Sequence, residues 1–270
     1  MNNGDFWSLL KKQGYQFGSS MPLTDLTGHP AEKLAITHGT TIFSFKYKDG
    51  VLVAGDRRAT AGTMVMYDRT DKVIDIDRYS VMAIAGVPAT AFEIARVMEH
   101  TFKYYRRSQL QELSLDGKVR ALSKLLKENI PMAIQGIGAV VPIYVAYDQT
   151  KNEGKIFFYD ILGAEFEGVE FAVSGSGSPA VRGVLYYQNR WGLKPLSLLS
   201  EEEAVILTIR LLETASEFDS ATGGVNQEAR LYPLIKLVTS DGVREISKTD
   251  MESLYTQKVA AGTGNGVKNV

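Results

Sequence analysis

The chain has no cysteine among its 270 residues. That excludes disulfides, thiolate zinc sites and a cysteine nucleophile at once. Histidine is nearly absent too, with only His29, His38 and His100. The first two fall in a leader set apart below, and His100 stands beside Glu99 in a helical pattern as a solvated side chain. A Ser-His-Asp arrangement therefore has no support. Charge of one sign is also missing: 30 basic against 31 acidic residues leave a net charge of −1. A nucleic-acid or anionic-membrane partner normally requires a basic surface, so neither is expected. The one basic-aromatic cluster, Lys103-Tyr104-Tyr105-Arg106-Arg107, closes a helical pattern, where cations complement the helix dipole. No long apolar run is present. The longest uncharged stretch, 129–147, contains Pro131, Gln135, Gly136, Gly138 and Pro142, and reads as a helix end followed by a buried strand. The opening MNNGDFWSLLKK has no basic region followed by an apolar core, so a secretory signal is not expected. The absence of cysteine is compatible with a reducing cytoplasm, which is the expected location.

What remains is the composition of an ordinary globular protein, 44% apolar and 23% charged, long enough to bury a sizeable core. Residues 1–39 differ from the rest. They are rich in Gly, Pro, Ser and Thr, with a short helical pattern at 6–12 and no sustained periodicity. From Thr40 strands follow closely, at about 41–47, 51–56, 63–66, 73–76 and 81–85. Helical stripes occupy 88–107 (Phe92, Ala95, Met98, Phe102, Tyr105) and 115–130 (Val119, Leu122, Leu126, Ile130). Strands resume at 139–147, 155–159 and 169–173, and a helix follows near 179–188. Another helix, 201–218, opens with Ser200 and Glu203 as a capping box. Strands 233–239 and 243–246 are joined by a Ser240-Asp241-Gly242 turn. The tail beyond about Lys258 is expected to be disordered. Runs of strands alternating with pairs of helices indicate α+β layering, with helices covering two stacked antiparallel sheets.

The chemistry concentrates in the hairpin that opens at Gly39-Thr40-Thr41. Asp56 lies sixteen residues after Thr40, at the end of an apolar strand and so at the rim of the core. Lys72 lies sixteen further on, at the start of another. Alone, Thr40-Thr41 is a β-prone pair opening a strand, Asp56 a charged strand end and Lys72 a surface lysine. Together, a hydroxyl behind a flexible glycine with a carboxylate and an ammonium is the layout of an N-terminal threonine nucleophile. A freed α-amine, with a pKa near 8, supplies the base that the histidines do not. The β-methyl fixes the direction of the hydroxyl, and Gly39 permits the strained backbone that attack on the preceding carbonyl would need. Substitution of Lys72 or Asp56 is then expected to abolish activity and leave the fold intact.

With Thr40, Asp56 and Lys72 in register with Gly55-Asp56-Arg57-Arg58 and the strand pattern, the sequence resembles the β-type subunits of the 20S proteasome, particularly the bacterial form with one kind of β chain, from about Gly39 to Ile246. The resemblance implies a four-layer α-β-β-α sandwich, the N-terminal nucleophile hydrolase fold. It implies that 1–39 is a propeptide removed by autocleavage between Gly39 and Thr40, so that the chain is a zymogen, with 40–258 as the peptidase domain and 259–270 as a flexible tail. In the family, Asp56 and Lys72 would form an ion pair beside the nucleophile. Gly86, on its face a turn glycine, would offer its N–H to an oxyanion. Ser176, Asp219 and Thr222 would surround Thr40; the family pattern is Asp-x-x-Ser-Gly-Gly, and Thr222 replaces its serine. Ala59, Thr60, Thr70, Ile74, Ile84 and Pro88 would line an apolar substrate pocket, suiting cleavage after Leu, Tyr or Phe. Implied partners are further copies in stacked heptameric rings, a proteasome α-type subunit, an ATP-dependent unfoldase reached through the α ring, and unfolded polypeptides as substrate. No cofactor or metal is expected.

Other readings stay open. Gly175-x-Gly177-x-x-Ala180 loosely satisfies a dinucleotide fingerprint, but the acidic residue expected about twenty positions on is missing. Asp219 to Gly224 is also what a helix stop looks like. A non-catalytic ring subunit, and the shorter two-ring bacterial threonine peptidase of the same superfamily, are the alternatives to a proteolytic β subunit.

Overall fold

Strands that are apolar at nearly every position need cover on both faces, and the architecture supplies it. The computed structural model describes residues 6–14, 39–61, 64–135 and 138–260. A short helix α1 (Phe6–Lys12) precedes six strands: β1 (Thr41–Tyr47), β2 (Gly50–Gly55), β3 (Ala59–Ala61), β4 (Met64–Tyr67), β5 (Val73–Asp77) and β6 (Ser80–Ala83). Helices α2 (Pro88–Gln109), α3 (Leu115–Glu128) and α4 (Ile130–Ile134) come next. Four strands then run as β7 (Ile143–Asp148), β8 (Glu153–Tyr159), β9 (Glu165–Glu167) and β10 (Phe171–Gly175). The chain closes with α5 (Ser178–Trp191), α6 (Glu201–Phe218), β11 (Leu234–Thr239), β12 (Gly242–Glu245) and α7 (Lys248–Leu254).

Two five-stranded antiparallel sheets form, ordered β10-β1-β2-β11-β12 and β5-β6-β7-β8-β9, with β3-β4 a separate hairpin. The two-residue side-chain period divides each strand between two cores. Ile42, Val53, Val81, Val145, Ile156 and Leu234 meet between the sheets. Phe43, Phe45, Leu52 and Ile235 point the other way, onto Leu185 of α5 and Ile209 and Leu212 of α6. Met82 and Tyr144 leave the second sheet towards Ile94, Met98 and Phe102 of α2 and Leu122 and Leu126 of α3. The result is the expected α-β-β-α sandwich. Phe43 is fully buried, and truncation to alanine there would cost about 3–5 kcal/mol.

Local signals worked where they were chemical. Ser200 and Glu203 form the capping box, with Ser200 N donating to Glu203 Oε2 at 2.9 Å and Glu203 N to Ser200 Oγ at 3.3 Å. Proline moves two boundaries. The helix expected over 115–130 ends at Glu128, because Pro131 cannot continue it and starts α4 instead. The strand expected from 139 begins at Ile143, just past Pro142, while Val140 makes only an isolated bridge to Gly86. Helix α7 has no counterpart in the sequence pattern. It is short and buries one residue, Met251, too little for a visible stripe. Beyond it a wide helical turn reaches Ala260 and buries Val259, so ordered chain continues past Lys258. The rest of the expected tail, 261–270, lies outside the described residues, as does most of the expected leader, 15–38, including His29 and His38. Within the leader, α1 forms as expected and docks on α2 and α3, with Phe6 5.4 Å from Tyr104 and Lys11 Nζ 2.9 Å from Glu128. His100 is exposed, its ring stacked on Phe6. Among the described residues no helix is long and apolar enough to cross a membrane, and no cluster of acidic, His or Cys side chains could hold a metal.

Candidate active site

Thr40 sits where β1, an interior strand of the first sheet, begins. β1 pairs with β2 on one side and β10 on the other, with Thr41 opposite Gly175 and Ile42 opposite Gly55. Ser176 N donates to Thr40 O at 2.8 Å. Gly175 has φ 96°, and a Cβ there would collide with that same Thr40 carbonyl, so glycine is required twice over. Thr40 itself is 5% exposed, and its Oγ1 donates to the carbonyl oxygen of Gly39 at 2.8 Å. Gly39 is held from behind by its own N–H, which donates to Thr60 Oγ1 at 3.1 Å. Its glycine requirement differs from the one expected. Gly39 is not among the positive-φ residues; instead a Cβ would overlap the Ala221 side chain. Close packing, not backbone freedom, selects glycine there.

Asp56 is fully buried rather than at the core's rim. Its Oδ1 accepts from Thr41 N at 2.8 Å and from Lys72 Nζ at 2.7 Å. Its Oδ2 accepts from Arg58 N at 2.9 Å and Gly223 N at 3.0 Å. Four donors on one carboxylate satisfy the burial that would otherwise be prohibitive. Lys72, 3% exposed, is no surface lysine. Besides Asp56 its ammonium donates to Arg58 O at 2.5 Å and to Gly39 O at 3.3 Å. Burial pushes the Lys72 pKa down, and the Asp56 carboxylate pulls it back up. The cation thus lies against the carbonyl that Thr40 Oγ1 also touches.

On the other side of Thr40 stand hydroxyls and a second carboxylate. Thr40 N donates to Ser176 Oγ at 3.3 Å, and Ser176 Oγ lies 2.6 Å from Asp219 Oδ2. Thr222 Oγ1 donates to the same Asp219 oxygen at 2.6 Å. Asp219 also caps α6, its N–H bonded to Ala215 O. The helix stop and the site contact are one feature. The Gly175/Gly177 pair is accounted for without a dinucleotide, because a Cβ on Gly177 would strike the hydroxyls of Thr41 and Thr222.

Gly39, Thr40, Lys72 and Gly86 share a cleft with Ala59, Thr70, Ile84 and Pro88. Four of the six expected pocket residues are therefore gathered there. The other two are not. Thr60 is buried behind Gly39, and Ile74 packs on the core beneath α2 and α3. Gly86 has φ 112°, and a Cβ there would strike Ala139 O, which no other residue tolerates cheaply. Sequence reasoning missed Thr41, Arg58 and Ala221. Thr41 was hidden by its ordinary β-propensity, and Arg58 and Ala221 act through backbone or packing, which leaves no residue-type signal.

The sequence profile of a family described as "Proteasome subunit" matches residues 36–229. The chain is 37% identical over 234 residues to "Proteasome subunit beta" of Frankia casuarinae, covering 87% of this chain and 83% of that protein. It is 38% identical over 226 residues to "Proteasome subunit beta 2" of Thermomonospora curvata, covering 84% and 78% respectively. It is 38% identical over 216 residues to "Proteasome subunit beta" of Streptomyces griseus, covering 80% and 74%.

Proposed function

The chain belongs to the proteasome subunit family, and from that premise we propose that it is a proteolytic β-type subunit, a threonine endopeptidase made active by cleavage between Gly39 and Thr40. One observation carries this reading. The Gly39 carbonyl oxygen receives Thr40 Oγ1 at 2.8 Å and the buried Lys72 ammonium at 3.3 Å, so the bond to be cut, the nucleophile and a polarising cation share one point.

In the activating step Thr40 Oγ attacks the Gly39 carbonyl carbon. Lys72, held by Asp56, stabilises the charge that grows on the carbonyl oxygen. The hydroxyl proton passes to the departing Thr40 nitrogen, giving an ester and a free amine, and water then hydrolyses the ester. The freed α-amine serves as general base when a substrate peptide takes the place of the leader. Thr40 Oγ forms an acyl-enzyme, the amine delivers the proton to the leaving nitrogen, and a water activated by the amine releases the acyl product. Gly86, at the cleft's wall, is the candidate donor to the substrate oxyanion. Ala59, Thr70, Ile84 and Pro88 present no charge, so an entering Leu or Tyr side chain would gain roughly 1.5–3 kcal/mol from burial, whereas an entering Lys would lose hydration in a cleft whose one charged side chain, Lys72, is itself a cation.

In this reading residues 1–39 are the propeptide. The subunit works in the cytoplasm, in heptameric rings stacked with α-type rings that an ATP-dependent unfoldase feeds. The test is covalent labelling of assembled protein with a peptide bearing a threonine-directed electrophile, beside hydrolysis of fluorogenic tripeptides. Labelling at Thr40, with Leu or Tyr preferred over Arg or Glu, is expected. An assembled particle that neither labels nor hydrolyses would leave the non-catalytic ring subunit as the reading.

A further inference from the structure

The hydroxyl of Thr41, next to the nucleophile, is fully buried and bonded on both sides. Gly177 N donates to Thr41 Oγ1 at 3.1 Å, and Thr41 Oγ1 lies 2.6 Å from Thr222 Oγ1. Counting protons gives that second contact its direction. Thr222 has one hydroxyl hydrogen, and the 2.6 Å contact to Asp219 Oδ2 uses it, since a carboxylate can only accept. Thr41 must therefore donate to Thr222. The bonds then run one way, from Gly177 N–H through the Thr41 and Thr222 hydroxyls to Asp219 Oδ2. Ser176 reaches the same oxygen from the other side and accepts from Thr40 N. Hydrogen bonds aligned in this sense polarise one another.

We propose that Thr41 is a positioning residue for the reaction at Thr40, its hydroxyl fixing Asp219 through Thr222 and thereby Ser176 against the Thr40 nitrogen. The inference rests on the threonine-peptidase reading above. Two features show that the chain is shaped around this hydroxyl. A Cβ on Gly177 would intrude on both Thr41 Oγ1 and Thr222 Oγ1, so glycine at 177 keeps that space for them. The Thr41 backbone N–H also donates to Asp56 at 2.8 Å, so one residue joins both carboxylates that flank Thr40. A buried threonine with a merely structural bond would need neither its direction nor its link to Asp219.

The test compares assembled wild type, Thr40→Ala, Thr41→Val, Thr41→Ser, Thr222→Ala and the double variant Thr41→Val/Thr222→Ala in steady-state peptide hydrolysis. Thermal midpoints are taken for each, and Thr41→Ala replaces Thr41→Val if the latter does not fold. Valine keeps the shape and removes the donor. The expected result is a fall in kcat of about tenfold for Thr41→Val with KM within about twofold, the scale of a mispositioned catalytic group. Thr41→Ser should return to within about twofold of wild type. The double variant should be little worse than Thr222→Ala alone, as for residues acting through one another. Wild-type kcat in Thr41→Val, failure of serine to rescue, a loss confined to KM, or additive losses would each overturn the inference and leave the peptidase reading standing. Wild-type turnover that survives Thr40→Ala would overturn that reading, and the inference with it.

Discussion

Asp56 and Asp219 flank the same threonine in opposite ways. Asp56 is sealed inside the sandwich, answers a single cation, Lys72, and is otherwise held by three backbone N–H groups. Asp219 sits half-buried at the end of α6 and collects two side-chain hydroxyls, from Ser176 and Thr222, on one oxygen. In a buried ion pair, removal of one member strands the other in low dielectric, so the pair and the fold stand or fall together. The exposed Ser176 hydroxyl and the half-buried Asp219 can lose a partner for less, because solvent takes its place, while the Thr222 hydroxyl behind them is buried but uncharged. One side of Thr40 therefore fixes charge, and the other fixes direction.

The largest effect that would sharpen this contrast belongs to Lys72→Ala. It should lower peptide hydrolysis by roughly 100-fold or more and destabilise the chain by about 3–5 kcal/mol, since Asp56 stays buried and uncompensated. Burial of both partners is what adds a stability cost to the expected loss of activity. Chemical denaturation of the variant decides it, and a midpoint equal to that of wild type would break the comparison. Asp219→Asn should cost less on both counts: about tenfold in kcat through lost positioning and about 1.5 kcal/mol in stability from weakened hydrogen bonds. A stability loss as large as that of Lys72→Ala would erase the distinction between the two sides.

The smallest effect lies away from the site, in the capping box that starts α6, the helix ending at Asp219. The Lys194 ammonium and the Ser200 backbone and hydroxyl hold the Glu203 carboxyl down to about 2. Because the folded pKa is depressed, its stabilisation is fully present above the ordinary carboxylate pKa near 4.5 and fades as pH falls through about 2. Glu203→Gln should therefore lower the thermal midpoint slightly at pH 7. The gap to wild type should close progressively between about pH 4.5 and 2, with kcat unchanged at neutral pH. A gap independent of pH would mean that the carboxylate's charge contributes nothing there.

How far the sequence reaches can be judged residue by residue. The α+β layering was legible in the runs of strands and the striped helices between them, while the four-layer order came from the family resemblance. Thr40, Asp56 and Lys72 were legible because side-chain type and spacing both mark them. What stayed hidden depends on three-dimensional neighbours. Asp56 reads as a rim residue because its four donors come from four separate places in the chain. Gly39 reads as a flexible hinge, although the constraint is Ala221, far along the chain. Ile74 and Thr60 were expected in the pocket on the family resemblance alone, whereas Ile74 packs on the core beneath α2 and α3 and Thr60 holds Gly39 from behind. Thr41 gives no signal at all, since a threonine in a strand needs no other reason to be there.

The claim that Thr40 becomes an N-terminal nucleophile is tested most directly by N-terminal sequencing of assembled wild-type protein beside Thr40→Ala. The account predicts that wild type begins at Thr40 and has lost about 4 kDa of its 29.7 kDa, the share of 39 residues in 270, while Thr40→Ala keeps its leader. An active particle that retains residues 1–39, or a Thr40→Ala chain still cut immediately after Gly39, would contradict it.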